Sequence, residues 1–266
     1  MLAVAPATSA LCASIGAVLT TRSNTPDSFT PSESARRGNA TIRPVDFSNL
    51  IQTLAVYALP VIFAITVHEA AHGYVARHFG DPTAAMLGRV TLNPLKHVDP
   101  VGTLLMPIAL LLMTKGAFVF GYAKPVPVNF GQLRHPKRDM IWVAAAGPAS
   151  NLIQALAWGA LLVLLSGLGV DETFFIAVAR AGVLVNVLLA VFNLFPLPPL
   201  DGGRVLVGLL PMRAAITVSR VEPFGIFIVL GLVLVGVLMT WWVTPLTHVT
   251  LALLDVLLTP LKLLFS

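Results

Sequence analysis

The chain has 266 residues, 56% hydrophobic and only 11% charged, with a mean hydropathy of +0.85; soluble domains are about half apolar and a quarter charged, so a soluble fold is excluded and an integral membrane protein is indicated. The net charge of +5 is spread over loops between apolar runs, without a basic cluster interleaved with aromatics, which excludes nucleic acid as a partner and leaves the lipid bilayer. The single cysteine, Cys12, excludes an intrachain disulfide and cysteine-based zinc ligation, so any metal must be held by His or carboxylate.

Residues 1–20 are small and apolar but lack the basic start of a secretory signal, since the first charge is Arg22. Residues 21–46 are rich in Ser, Thr, Pro and Arg, and 1–48 as a whole reads as a disordered or poorly ordered leader. A single integral membrane domain is expected over 49–266. Its first span covers 49–67, and helix is expected to continue through Arg77, because nothing before Gly80-Asp81-Pro82 breaks it. A polar loop follows over 80–100, and then an apolar run, 101–113, that is short for a crossing. Residues 115–139 carry five Lys or Arg, and within them Ala123-Lys124-Pro125-Val126-Pro127-Val128-Asn129 suits an extended edge segment. Further spans are expected at 140–168, 174–197, 223–243 and 245–265.

Charge sets the orientation. Loops 77–139 and 204–220 carry eight and three Lys or Arg, while 166–173 carries none, so the first two belong in the cytoplasm. For both to lie there, 101–113 should dip in and return. The expected fold is therefore an all-α polytopic membrane protein, a bundle of about five to six membrane segments. A short re-entrant or β-like element should lie between the first two full helices.

At the end of the first span stands His68-Glu69-Ala70-Ala71-His72. Residues four apart share a helix face, so two imidazoles can grip one Zn²⁺ with Glu69 beside the open position. A third ligand must come from elsewhere. His78 stands at the spacing of the extended zinc signature, but Val75 occupies the place of that signature's glycine turn, and on an unbroken helix His78 faces away. His97 lies on a loop and could reach back. Asp201 ends an apolar helix, where a carboxylate is costly unless paired or coordinated; its plainer reading is a cap for the next helix.

Together with His68-Glu69-Ala70-Ala71-His72, the run Asn193-Leu194-Phe195-Pro196-Leu197-Pro198-Pro199-Leu200-Asp201-Gly202-Gly203-Arg204 resembles the site-2 protease family of intramembrane zinc metalloproteases. The segments GRVTLNPLKHVDPVGTLLMP, AKPVPVN and AAAGPASN are similar to its compact prokaryotic branch without a PDZ or CBS domain. The resemblance implies one Zn²⁺ per chain on His68, His72 and Asp201, with Glu69 as general base to a zinc-activated water and Asn193 as donor to the oxyanion. It implies an endopeptidase acting in or near transmembrane segments of other membrane proteins, in a bacterial cell (inner) membrane, with the active site near the cytoplasmic face. The alternative is a zinc-binding membrane transporter or scaffold without proteolysis. Strand addition of an unwound substrate along 123–129 is the expected mode of holding. Asn151 and Asn186 read as structural, and Gly147-Pro148 as a helix start or kink.

Overall fold

A computed structural model of the chain describes residues 2–4, 47–97, 99–105, 109, 119–121 and 124–265. Most of the leader expected over 1–48 and most of the 101–113 run lie outside the described residues. Helix α1, Phe47–His78, is unbroken despite Pro60 and ends at Gly80-Asp81-Pro82 as the sequence predicts. Asp81, fully buried, accepts the backbone N–H of Thr83 at 3.0 Å and so starts the single helical turn Thr83–Met86. A π turn over Pro100–Leu105 follows. Strand β1, Leu2–Val4, pairs antiparallel with β2, Val119–Gly121.

Helix α2 runs over Pro136–Gly167, four residues earlier than the apolar run alone suggests, because Pro136 suits a first helical position and the buried Asp139 accepts the His135 N–H at 2.8 Å. Helix α3, Thr173–Asn193, stops short of the expected 197, and the prolines of 196–199 carry the chain through a non-helical turn. Helices α4 (Asp201–Leu209), α5 (Met212–Ser219) and α6 (Glu222–Leu234) follow. A π turn, Met239–Val243, leads into α7, Thr244–Leu263.

The expected span 223–243 is not one helix. Gly236 takes φ +80°, a left-handed conformation that breaks the run after 13 residues of α6, about 20 Å at 1.5 Å per residue and short of a ~30 Å bilayer core. The residues beyond it join the last span, Met239–Leu263, which therefore starts before the expected 245; Pro245 is tolerated in its first turn. Among the described residues four helices are long and apolar enough to cross a membrane, or five if the bent pair α5–α6 forms one span, the lower end of the five to six expected. The protein is an all-α polytopic membrane protein.

Helix α3 is the centre of the bundle. Two-thirds of its most apolar window is buried, 67% against 22% for each of the other three spans. Val185 and Leu189 pack on Ala64 of α1, and Val183, Val187 and Val191 on Ala155 of α2 and Leu251 and Leu254 of α7. Spacings of four place each set on one helix face. Outward-facing Ile51, Phe63, Ile153, Phe227 and Leu257 would be a liability in water and suit contact with lipid.

Candidate metal centre

His68, Glu69 and His72 sit in the last three turns of α1, where the spacing of four puts both imidazoles on the face turned to α2 and α3. Asp201 reaches them from another element. The turn 194–200 brings the chain back, and α4 starts against it with no room to spare: a Cβ on Gly202 would stand 2.0 Å from the Leu194 carbonyl oxygen, and one on Gly203 2.0 Å from the Pro198 nitrogen. Those two glycines let the first turn of α4 press on the loop, and Asp201 then projects inward.

Three donor atoms converge. His68 Nε2 lies 3.0 Å from His72 Nε2, and Asp201 Oδ2 lies 3.2 Å from the first and 3.4 Å from the second. Tetrahedral ligands at about 2.0–2.1 Å from zinc stand about 3.3–3.4 Å apart, so the triangle fits one such ion with a fourth position left over. The three residues could hold a metal ion. Each imidazole is oriented from behind: His72 Nδ1 donates to the Val143 carbonyl at 2.7 Å, and His68 Nδ1 meets Asn151 Oδ1 at 2.6 Å. Such partners fix ring direction and tautomer in metal sites.

Glu69 stands beside this triangle with its Oε2 accepting the Val126 N–H at 2.7 Å. The donor belongs to 124–129, which has no regular secondary structure and in this respect differs from the strand-like segment expected there. Tertiary bonds hold it instead. Arg89 donates to the carbonyls of Lys124 at 2.8 Å and Pro125 at 3.3 Å, and Asp81 Oδ2 accepts the Asn129 N–H at 2.7 Å. With Val126, Val128 and Phe130 it walls a cavity of about 250 Å³ that holds the His-Glu-His-Asp group, Asn193 and Arg204. Asn193 Nδ2 donates within its own helix to the Leu189 carbonyl at 2.9 Å.

The two other histidines weighed as ligands lie elsewhere. His78 is exposed and packs edge-on against Phe79; His97 is buried and tied by Nε2 to the Thr91 carbonyl at 3.0 Å. Gly147 has a use that its sequence did not disclose. It lies inside α2 rather than at its start, and a Cβ there would stand 2.4 Å from His72 Nε2 and 2.6 Å from His68 Nε2, so only glycine leaves the donor atoms clear. Asn151, expected from the sequence to be structural, meets His68 directly; an amide in the middle of an apolar span is itself a signal.

Residues 56–183 and 170–236 match the family model described as Peptidase family M50. The chain is 39% identical over 194 residues to a Bacillus subtilis protein named "Putative zinc metalloprotease YwhC", covering 69% of this chain and 83% of that one. It is 30% identical over 212 residues to "Putative zinc metalloprotease Rip2" of Mycolicibacterium smegmatis, covering 76% and 74%, and 35% identical over 148 residues to "Putative zinc metalloprotease Rip3" of Mycobacterium tuberculosis, covering 56% and 29%. No solved structure matches.

Proposed function

The chain belongs to peptidase family M50, the site-2 zinc metalloprotease family, and from that premise we propose that it is an intramembrane endopeptidase hydrolysing peptide bonds in or near transmembrane segments of other membrane proteins. The observation that carries this reading is Glu69 beside a triangle of His68, His72 and Asp201 donors whose sides, 3.0–3.4 Å, suit one zinc ion with an open position. A carboxylate next to that position has no purpose in a closed structural site and the right chemistry for a general base.

When bound, zinc would supply a Lewis acid that acidifies water and polarises the scissile carbonyl. Glu69 takes the proton of the attacking water and passes it to the leaving amine. Asn193, on the wall of the same cavity, offers its amide to the oxyanion. A substrate helix hides its peptide bonds in its own hydrogen bonds, so it must unwind before reaction. The backbone of 124–129, pinned by Arg89 and Asp81 and facing the cavity through Val126 and Val128, is suited to hold the unwound chain by strand addition. The Val126 N–H, now given to Glu69, is the first donor such a substrate would compete for. The asymmetry of Lys and Arg between loops supports a site near the cytoplasmic face of a cell membrane.

Glu69→Gln tests the reading, because glutamine keeps the shape and cannot accept the proton. Membrane proteomics of cells carrying it should show accumulation of uncleaved single-span proteins. The purified variant should retain zinc while cleavage falls by about 10²–10⁴-fold. Undiminished cleavage by this variant would exclude proteolysis at this site.

A further inference from the structure

Behind His68 runs a line of buried amides that crosses the bundle. Asn186 of α3 donates from Nδ2 to the Gly182 carbonyl at 2.9 Å. Its Oδ1 receives Nδ2 of Asn151, on α2, at 2.9 Å. Asn151 Nδ2 also meets the Ala64 carbonyl of α1 at 3.2 Å, and Asn151 Oδ1 lies 2.6 Å from His68 Nδ1. Both asparagines are fully buried.

The direction of this line is forced. A backbone carbonyl can only accept, so the Gly182 oxygen requires the NH₂ end of Asn186, which turns Oδ1 toward Asn151. That oxygen and the Ala64 carbonyl both require the NH₂ end of Asn151, which leaves Asn151 Oδ1 for the imidazole. An acceptor there requires His68 to carry its proton on Nδ1, and Nε2 is left with its lone pair toward His72 and Asp201. Turning either amide over would set oxygen against oxygen, Asn186 against the Gly182 carbonyl or Asn151 against the Ala64 carbonyl and Asn186 Oδ1.

We propose that Asn186 and Asn151 are positioning residues that set the metal-binding tautomer of His68, so that the Gly182 carbonyl of α3, through Asn186, and the Ala64 carbonyl of α1 together determine which nitrogen His68 presents to the metal. This rests on the reading of the triangle as a metal site and adds to it the source of one ligand's competence. His72 obtains the same tautomer in one step, from the Val143 carbonyl. His68 obtains it when α2 packs against α1, and Asn186 of α3 adds a second hold on the same amide, so the relay couples helix packing to ligand chemistry.

The test is Co²⁺ and Zn²⁺ affinity of the purified full chain in detergent, by competition with a chelator. Asn151→Leu removes the acceptor of His68 Nδ1 and is expected to weaken binding by about 10–100-fold, the usual effect of losing such a partner. Asn186→Leu removes one of the two acceptors that hold the Asn151 amide, leaving the Ala64 carbonyl, and should weaken it by a smaller factor, whereas Asn186→Asp, kept protonated by burial so that its O–H meets the Gly182 carbonyl, keeps the acceptor that Asn151 needs and should bind within about twofold of wild type. Thr247→Val deletes a buried hydroxyl of α7 that has no hydrogen-bond partner among the described residues, and should leave affinity unchanged. If Asn151→Leu does not fold, the Asn186 pair decides. Wild-type affinity in both leucine variants, or equal losses in Asn186→Leu and Asn186→Asp, overturns the relay alone. Absence of metal binding by the wild-type chain overturns the metal-site reading and the relay together.

Discussion

Along the line from α1 to α3, polar side chains sit deep in the bundle with specific partners: Asn186 to Asn151, Asn151 to His68, His72 to Val143. In α6 and the π turn before α7 several large apolar side chains face outward, with Phe227 at 71% and Trp241 at 80% exposure, while Val229 and Val243 pack inward. Inside a bilayer an unpaired polar group finds no water, so each amide or imidazole in the first region must be answered by another residue at a fixed distance. The outward side chains of the second region need only be compatible with lipid. A methyl group is therefore intolerable at one place and an indole dispensable at another, a few helices apart.

The largest expected effect is Gly147→Ala. The added Cβ would meet both Nε2 atoms within 2.6 Å, so this variant should fold, since alanine is the better helix former, yet lose zinc and with it cleavage. Metal analysis of the purified variant checks this, and a zinc-loaded Gly147→Ala would break the contrast between centre and flank. The losses expected on cutting the amide relay stand between the extremes. The smallest effect is expected for Trp241→Ala: zinc content and cleavage within about twofold of wild type, because its side chain faces outward from the π turn while the neighbouring Trp242 donates to the Val191 carbonyl at 2.9 Å. A loss of activity there would show that the flank serves the site directly.

Much of this was legible from the order of residues. Apolar runs of near-spanning length gave the helices, and a spacing of four put His68 and His72 on one face of α1. A carboxylate at the end of an apolar helix pointed to Asp201, which the structure brings to both imidazoles. The break at Gly236 was hidden because its neighbours are as apolar as a span requires, and hydropathy does not record φ. The tertiary hydrogen bonds that hold 124–129 were hidden because they come from Asp81 and Arg89, tens of residues away. Asn151 and Asn186 were visible as amides in apolar helices, but which partner each would meet depends on the rotation and crossing of three helices. Gly147 shows the same limit: its missing side chain has meaning only once α2 lies against His68 and His72.

The central claim is that α1 and the turn after α3 assemble one zinc site from His68, His72 and Asp201. Its most direct test is the zinc content of the purified wild-type chain beside Asp201→Ala, both measured after dialysis against a mild chelator. One zinc per chain in the wild type and near none in the variant is the expected result. Full zinc in Asp201→Ala, or none in the wild type, would contradict it.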